Sequence, residues 1–125
     1  MHCDVGDIVL VDCYKYPDGN EGKYHCFVIM HIQNDEITAT PLEYFGFIIS
    51  SRAVKSNTIN EYYPYNEPIT PDKNNRLEKN SHVKCDELIV INPIHVIMKW
   101  GSVSLSQYGR FMELFEKSLA ENSDT

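Results

Sequence analysis

Between Gly6 and Ile32 the chain reads GDIVLVDCYKYPDGNEGKYHCFVIMHI, and this stretch constrains the fold more than any other. It holds two apolar runs, Ile8-Val9-Leu10-Val11 and Cys26-Phe27-Val28-Ile29-Met30, separated by Tyr16-Pro17-Asp18-Gly19-Asn20-Glu21-Gly22-Lys23. Short apolar runs rich in β-branched residues and bounded by Gly, Pro, Asn and Asp read as strands. Both runs are continuous rather than alternating, so each strand is expected to be central and buried on both faces. The loop between them is too polar for a core. A loop held out by two core strands is where function tends to sit.

The rest of the chain reads as cover for that hairpin. Gln33-Asn34-Asp35-Glu36 is a turn signal, and Ile37-Thr38-Ala39-Thr40 is expected as a third strand. Pro41 cannot donate to a ladder, so the third strand should end there or reach a sheet edge. Phe45-Gly46-Phe47-Ile48-Ile49 reads as a fourth, with a bulge or bend at its glycine. Residues 50–81 form a long polar loop with room for a short helix or strand pair, since structureless connections of that length are uncommon. Within it, Tyr62-Tyr63-Pro64-Tyr65 is either a stacking platform for bases or a set of tyrosines pinning the loop to the core.

Val83 to Ile91 resumes strand character until Asn92-Pro93 breaks it, and Ile94 to Met98 is one more strand, closed by Trp100-Gly101. The period then changes. Leu105, Tyr108, Met112, Phe115 and Leu119 recur at spacings of three and four, which predicts a helix over about 104–121 docked through that stripe. Ser104 and Gln107 fit a capping box, and Glu113 and Lys117 an i,i+4 ion pair. About six short strands and one helix in 125 residues predict a single domain over 1–125, mainly β, shaped as a small, strongly bent barrel.

Composition narrows what such a barrel can do. The net charge of −7 argues against gripping nucleic acid with the whole surface. Residues 50–84 nevertheless carry six basic side chains (Arg52, Lys55, Lys73, Arg76, Lys79, Lys84) against four acidic ones (Glu61, Glu67, Asp72, Glu78), leaving +2 there and −9 elsewhere. That segment is either a solvated loop or a local phosphate-contacting region acting within a Debye length of about 8 Å. Cys3, Cys13, Cys26 and Cys85 include no CxxC pair and are expected as reduced thiols. His25, His31, His82, Cys85 and His95 are too scattered to define a metal site, so no cofactor is expected. No run approaches the roughly 18 apolar residues of a membrane span. The start of the chain has neither a basic nor an apolar region, so the expected location is the cytoplasm.

Five stretches, in order, resemble the MazF/PemK family of toxin–antitoxin endoribonucleases. Gly6-Asp7-Ile8-Val9-Leu10-Val11-Asp12 is similar to the family's opening G-D-[IV]-[VIW]-x-[VA]-D strand, and Gly19-Asn20-Glu21 followed by Gly22-Lys23 to its G-S-E then G-[KH]-R-P. Ala39-Thr40-Pro41-Leu42 is similar to A-P-[IL]-T-S, and Ser81-His82-Val83-Lys84-Cys85-Asp86-Glu87-Leu88 to S-x-V-x-x-D-Q-[IL]; Gly101 and Ser104 then match the glycine and serine-capped helix. The resemblance implies an SH3-like barrel of the MazF/PemK/CcdB type with a C-terminal helix, a homodimer, and an antitoxin partner encoded nearby. It also implies metal-independent cleavage of single-stranded RNA by attack of the ribose 2′-hydroxyl on the neighbouring phosphate.

In the family an arginine at the start of the second strand and a Thr or Ser at the end of the third serve that reaction. Here the first place holds Tyr24 or, with a one-residue slip, His25, and after Pro41-Leu42 the second holds Glu43-Tyr44. Two readings follow. In one, chemistry persists with His25 as acid or base, Tyr24 beside it, Lys23 as the cation and Glu43 as a second proton carrier. Gly19, Glu21, Tyr44, Lys73, Arg76 and Lys79 would then contact RNA. In the other, the barrel is catalytically inactive and binds a protein or nucleic acid.

Overall fold

The computed structural model describes residues 2–12, 24–51 and 63–123. These form seven strands, β1 (Asp7–Asp12), β2 (Tyr24–Asn34), β3 (Pro41–Ser50), β4 (Asn66–Ile69), β5 (Ser81–Lys84), β6 (Ile89–Ile91) and β7 (Val96–Ser102), then one long helix, α1 (Leu105–Ser123). All pairings are antiparallel, in the order β4-β5-β3-β2-β1-β7, with β6 also on β3. The mainly β architecture with a C-terminal helix is the one expected.

The continuous apolar runs are continuous because the central strands are sandwiched. Ile8, Val28, Met30, Phe47 and Ile49 point into a core that α1 covers with Phe111 and Leu114. Their sequence neighbours Val9, Val11, Phe27 and Ile29 point the other way, into a second core with Cys3, Tyr44 and Ile91. The bulge expected at Gly46 lies opposite it, on β2, where Met30 is the extra residue. A Cβ at Gly46 would lie 2.6 Å from the Val28 carbonyl oxygen, and the β2–β3 register shifts between Ile29 and His31.

Several element boundaries differ from expectation. Ile37–Thr40 is a turn rather than a strand. The Asp35 carboxylate accepts the backbone N–H groups of Ile37 and Thr38 (both 2.9 Å), Ala39 adopts φ 58°, and Ile37 is 94% exposed. Pro41 therefore opens β3, where its missing donor costs nothing, and the run at Phe45 is the middle of that strand. The long connection contains β4, which forms with β5 a strand pair carrying Pro68 on the free edge. Val83–Ile91 divides into β5 and β6, Pro93–His95 is one turn of 3-10 helix, and Trp100-Gly101 lie within β7 rather than beyond it.

The capping box of α1 is formed: the Ser104 N–H donates to Gln107 Oε1 (2.8 Å) and the Gln107 N–H to Ser104 Oγ (3.1 Å). The buried ridge, however, is Phe111, Leu114 and Ser118, with Tyr108, Met112 and Phe115 half-buried beside it and Leu105 and Leu119 exposed. Tethers to the sheet set this rotation. Tyr108 Oη donates to the Met30 carbonyl (2.7 Å), Arg110 donates to Glu67 (2.9 Å), and the Tyr65 hydroxyl donates to Glu121. Glu113 consequently accepts from Arg110 and Lys117 reaches Glu121, in place of the expected Glu113–Lys117 pair.

Candidate functional site

The mouth of β2 is where the registers converge. His25 lies opposite Val11 on β1, and Val11 opposite Val96 on β7. On the other side Cys26 pairs with Ile49, which puts His25 beside Ser50, the last residue of β3. Ser50 pairs with His82 on β5, and His82 with Pro68 on β4. Residues directly opposite across an antiparallel pair share a face of the sheet. One row therefore crosses the sheet as Val96, Val11, His25, Ser50, His82 and Pro68, apolar at both ends with two imidazoles and a hydroxyl at its centre.

His82 is 8% exposed, and its Nδ1 is buried without a hydrogen-bond partner. An unpaired buried nitrogen costs about 1–3 kcal/mol, a cost that native structures seldom leave without a reason. Next to the row, Cys26 points into the α1-side core, where burial first and the Glu78 carboxylate second push its thiol up. That thiol is a packing group and not a nucleophile. Tyr24 opens β2 at the rim, opposite Asp12, and is 61% exposed.

The remaining sequence-derived candidates separate. Glu43 faces Gln33, eight residues along β2 from His25, or about 26 Å of strand at roughly 3.3 Å per residue, so it is no partner for His25. Tyr44 is buried at 2% exposure in the second core, and its side chain hydrogen-bonds Cys3, which removes it from any RNA-facing surface. Lys73 and Arg76 are exposed on a turn anchored to β7, where the Ser102 N–H donates to the Asn74 carbonyl (3.0 Å) and Trp100 Nε1 to that of Arg76 (2.7 Å). Lys79 is exposed just before β5, and Ser81 Oγ donates to its carbonyl (3.0 Å). Gly19, Glu21 and Lys23 lie outside the described residues.

Ser50 and His82 are what the sequence reading missed. The signal for Ser50 was available: Phe47-Ile48-Ile49-Ser50-Ser51 is an apolar run ending in hydroxyls, a better counterpart of a strand ending in Thr or Ser than Pro41-Leu42. β3 opens at Pro41 and ends at Ser50, so the hydroxyl at the strand's end is that of Ser50, and Glu43-Tyr44 lie near its start. Nothing local marks His82. Its place follows only from the register.

Among the described residues no group of three or more His, Cys, Asp or Glu is placed to hold a metal ion, and no helix is long and apolar enough to cross a membrane. Among curated proteins none matches this chain by sequence. Among solved structures the chain is similar to the Mycobacterium tuberculosis toxin MazF-mt6, at a TM-score of 0.62 and 14% identity over 91% of this chain and 96% of that one, a likeness of fold. The sequence profile of the PemK-like, MazF-like toxins of type II toxin–antitoxin systems matches residues 4–118. With the profile spanning nearly the whole sheet and helix, the chain belongs to that toxin family.

Proposed function

We propose that this toxin is a metal-independent endoribonuclease that cuts single-stranded RNA by attack of a ribose 2′-hydroxyl on the adjacent phosphate. The observation that carries this reading is the row His25–Ser50–His82, which sets two imidazoles and a hydroxyl on one face of the sheet at the mouth of β2. The reaction needs a titrating group within reach of the 2′-hydroxyl and donors aimed where charge develops on the phosphorane. An imidazole can both take up and give back a proton, so His25 takes the base role. Ser50 donates to a non-bridging oxygen, and Lys23, next before Tyr24 in the sequence, supplies positive charge. The exposed ring of Tyr24 offers a surface for a base. Gly19 and Glu21, by the family resemblance, contact the RNA. Lys79 gives the nearer phosphate contact, with Lys73 and Arg76 further along the strand's path.

A type II toxin implies an antitoxin partner. In our reading that partner covers the β2 mouth, and the toxin works as a cytoplasmic homodimer. The test is incubation of purified protein with mixed-sequence RNA in EDTA. Products should carry cyclic phosphate and 5′-hydroxyl ends, with rates falling by about 10²–10⁴ for His25→Ala and about 10²–10³ for Ser50→Ala. A wild-type protein that cuts no RNA and arrests no growth would sink the nuclease. It would favour the second reading, a barrel that only binds, which the absence of arginine at Tyr24 and His25 supports.

A further inference from the structure

We infer that His82 is the general acid of this reaction, donating a proton to the departing 5′-oxygen while His25 accepts the one leaving the 2′-hydroxyl. The inference rests on the nuclease reading and adds to it a residue outside the strand-start and strand-end positions. Three observations carry it. His82 lies directly across from Ser50, so its side chain shares the face on which the phosphate would sit. Its other cross-strand neighbour is Pro68, whose ring can neither donate nor accept a hydrogen bond. Its Nδ1 is buried and has no partner. A buried imidazole nitrogen with no partner among the described residues is left for a substrate atom to satisfy, and the leaving side of a phosphodiester presents acceptor oxygens to which it donates whenever it carries the proton.

The spacing suits the step. His25 and His82 stand one on each side of Ser50, two strand intervals or roughly 10 Å apart between backbones, a separation that one phosphate can span. The 2′-oxygen bonds to phosphorus as its proton passes to His25. The bond from phosphorus to the 5′-oxygen breaks as His82 protonates that oxygen. The products are a cyclic phosphate and a 5′-hydroxyl, with one proton taken up and one released and no outside reagent consumed.

A leaving-group substitution tests this directly. An RNA carrying sulfur in place of the bridging 5′-oxygen, placed at the site the wild type cuts fastest, expels a thiolate that needs no acid. His82→Ala should be slower by about 10²–10⁴ on the all-oxygen RNA, and restored to near wild-type speed on the sulfur substrate. His25→Ala should stay slow on both. His82→Gln, which keeps bulk and polarity but cannot transfer a proton, should behave like the alanine variant. Binding of an RNA with a 2′-deoxyribose at the cut site reports whether either variant is folded. Equal impairment of His82→Ala on both substrates, full activity on the all-oxygen RNA, or failure of both variants to fold would overturn the assignment. A wild type that cleaves nothing would instead overturn the nuclease reading beneath it.

Discussion

Cys85 is wholly buried under α1, and desolvation, followed by the Glu67 and Asp86 carboxylates, pushes its thiol from an ordinary 9.0 up to about 12. The folded state thus holds the proton more tightly than the unfolded chain does. Its contribution is whole below about pH 9 and is lost as pH rises toward 12, a difference on the order of 4 kcal/mol. Denaturant titrations between pH 8 and 11 should show stability falling, and Cys85→Val should flatten that fall. Cys3, Cys26 and Tyr44, each raised chiefly by burial, act in the same sense and leave the variant some residual slope. At this scale the sequence told half the story. It marked Cys26 as a small buried hydrophobe and His25 as a strand-mouth imidazole, because both readings depend only on neighbours along the chain. It could not show that Tyr44 turns inward and Glu43 sits at the far end of the ladder. Those depend on the register of β2 against β3, which the extra residue near Met30 alters.

Helix α1 separates periodicity from docking. The three–four spacing located the helix, and the Ser104–Gln107 box located its start, because both are local. Which ridge faces the sheet is not local. It follows from Tyr108 reaching the Met30 carbonyl and Arg110 reaching Glu67. Phe111→Ala should therefore cost about 3–5 kcal/mol, whereas Leu119→Ala should stay within about 0.5 kcal/mol, both read from denaturant midpoints. Ser104→Ala should cost about 1 kcal/mol through the lost cap. Had the stripe through Leu105 and Leu119 been the buried one, the first two values would converge. The third strand shows the reverse case. Ile37–Thr40 has strand composition, yet one Asp35 carboxylate capturing two backbone N–H groups turns the chain there.

For the whole molecule, a sandwiched sheet with a helix on one face could be read from the runs around Ile8 and Val28, since continuous apolar strands demand cover on both sides. The assembled row could not, because its three polar members are separated by about 25 and about 32 residues and meet only after two ladders have formed. Those ladders are unequal. The outer edge of β3 is divided, Tyr44–Gly46 going to β6 and only Ile49 and Ser50 to β5. In the sheet the β4–β5 hairpin is joined to β3 by that two-residue seam, its other ties running to α1 and β7, and β4 carries a proline. Opening the seam breaks few ladder bonds and leaves β1, β2 and most of β3 intact. It also parts Glu67 from Arg110 and draws Ile69 and Val83 from the α1-side core, so β4–β5 is a sub-global unit that opens above simple fraying and below global unfolding. Amide exchange should show β4 and β5 losing protection at lower free energy than β1 and β2. Two-thirds of the polar row would then be permanent and one third conditional: His25 and Ser50 stay aligned through such an excursion, and only His82 swings away.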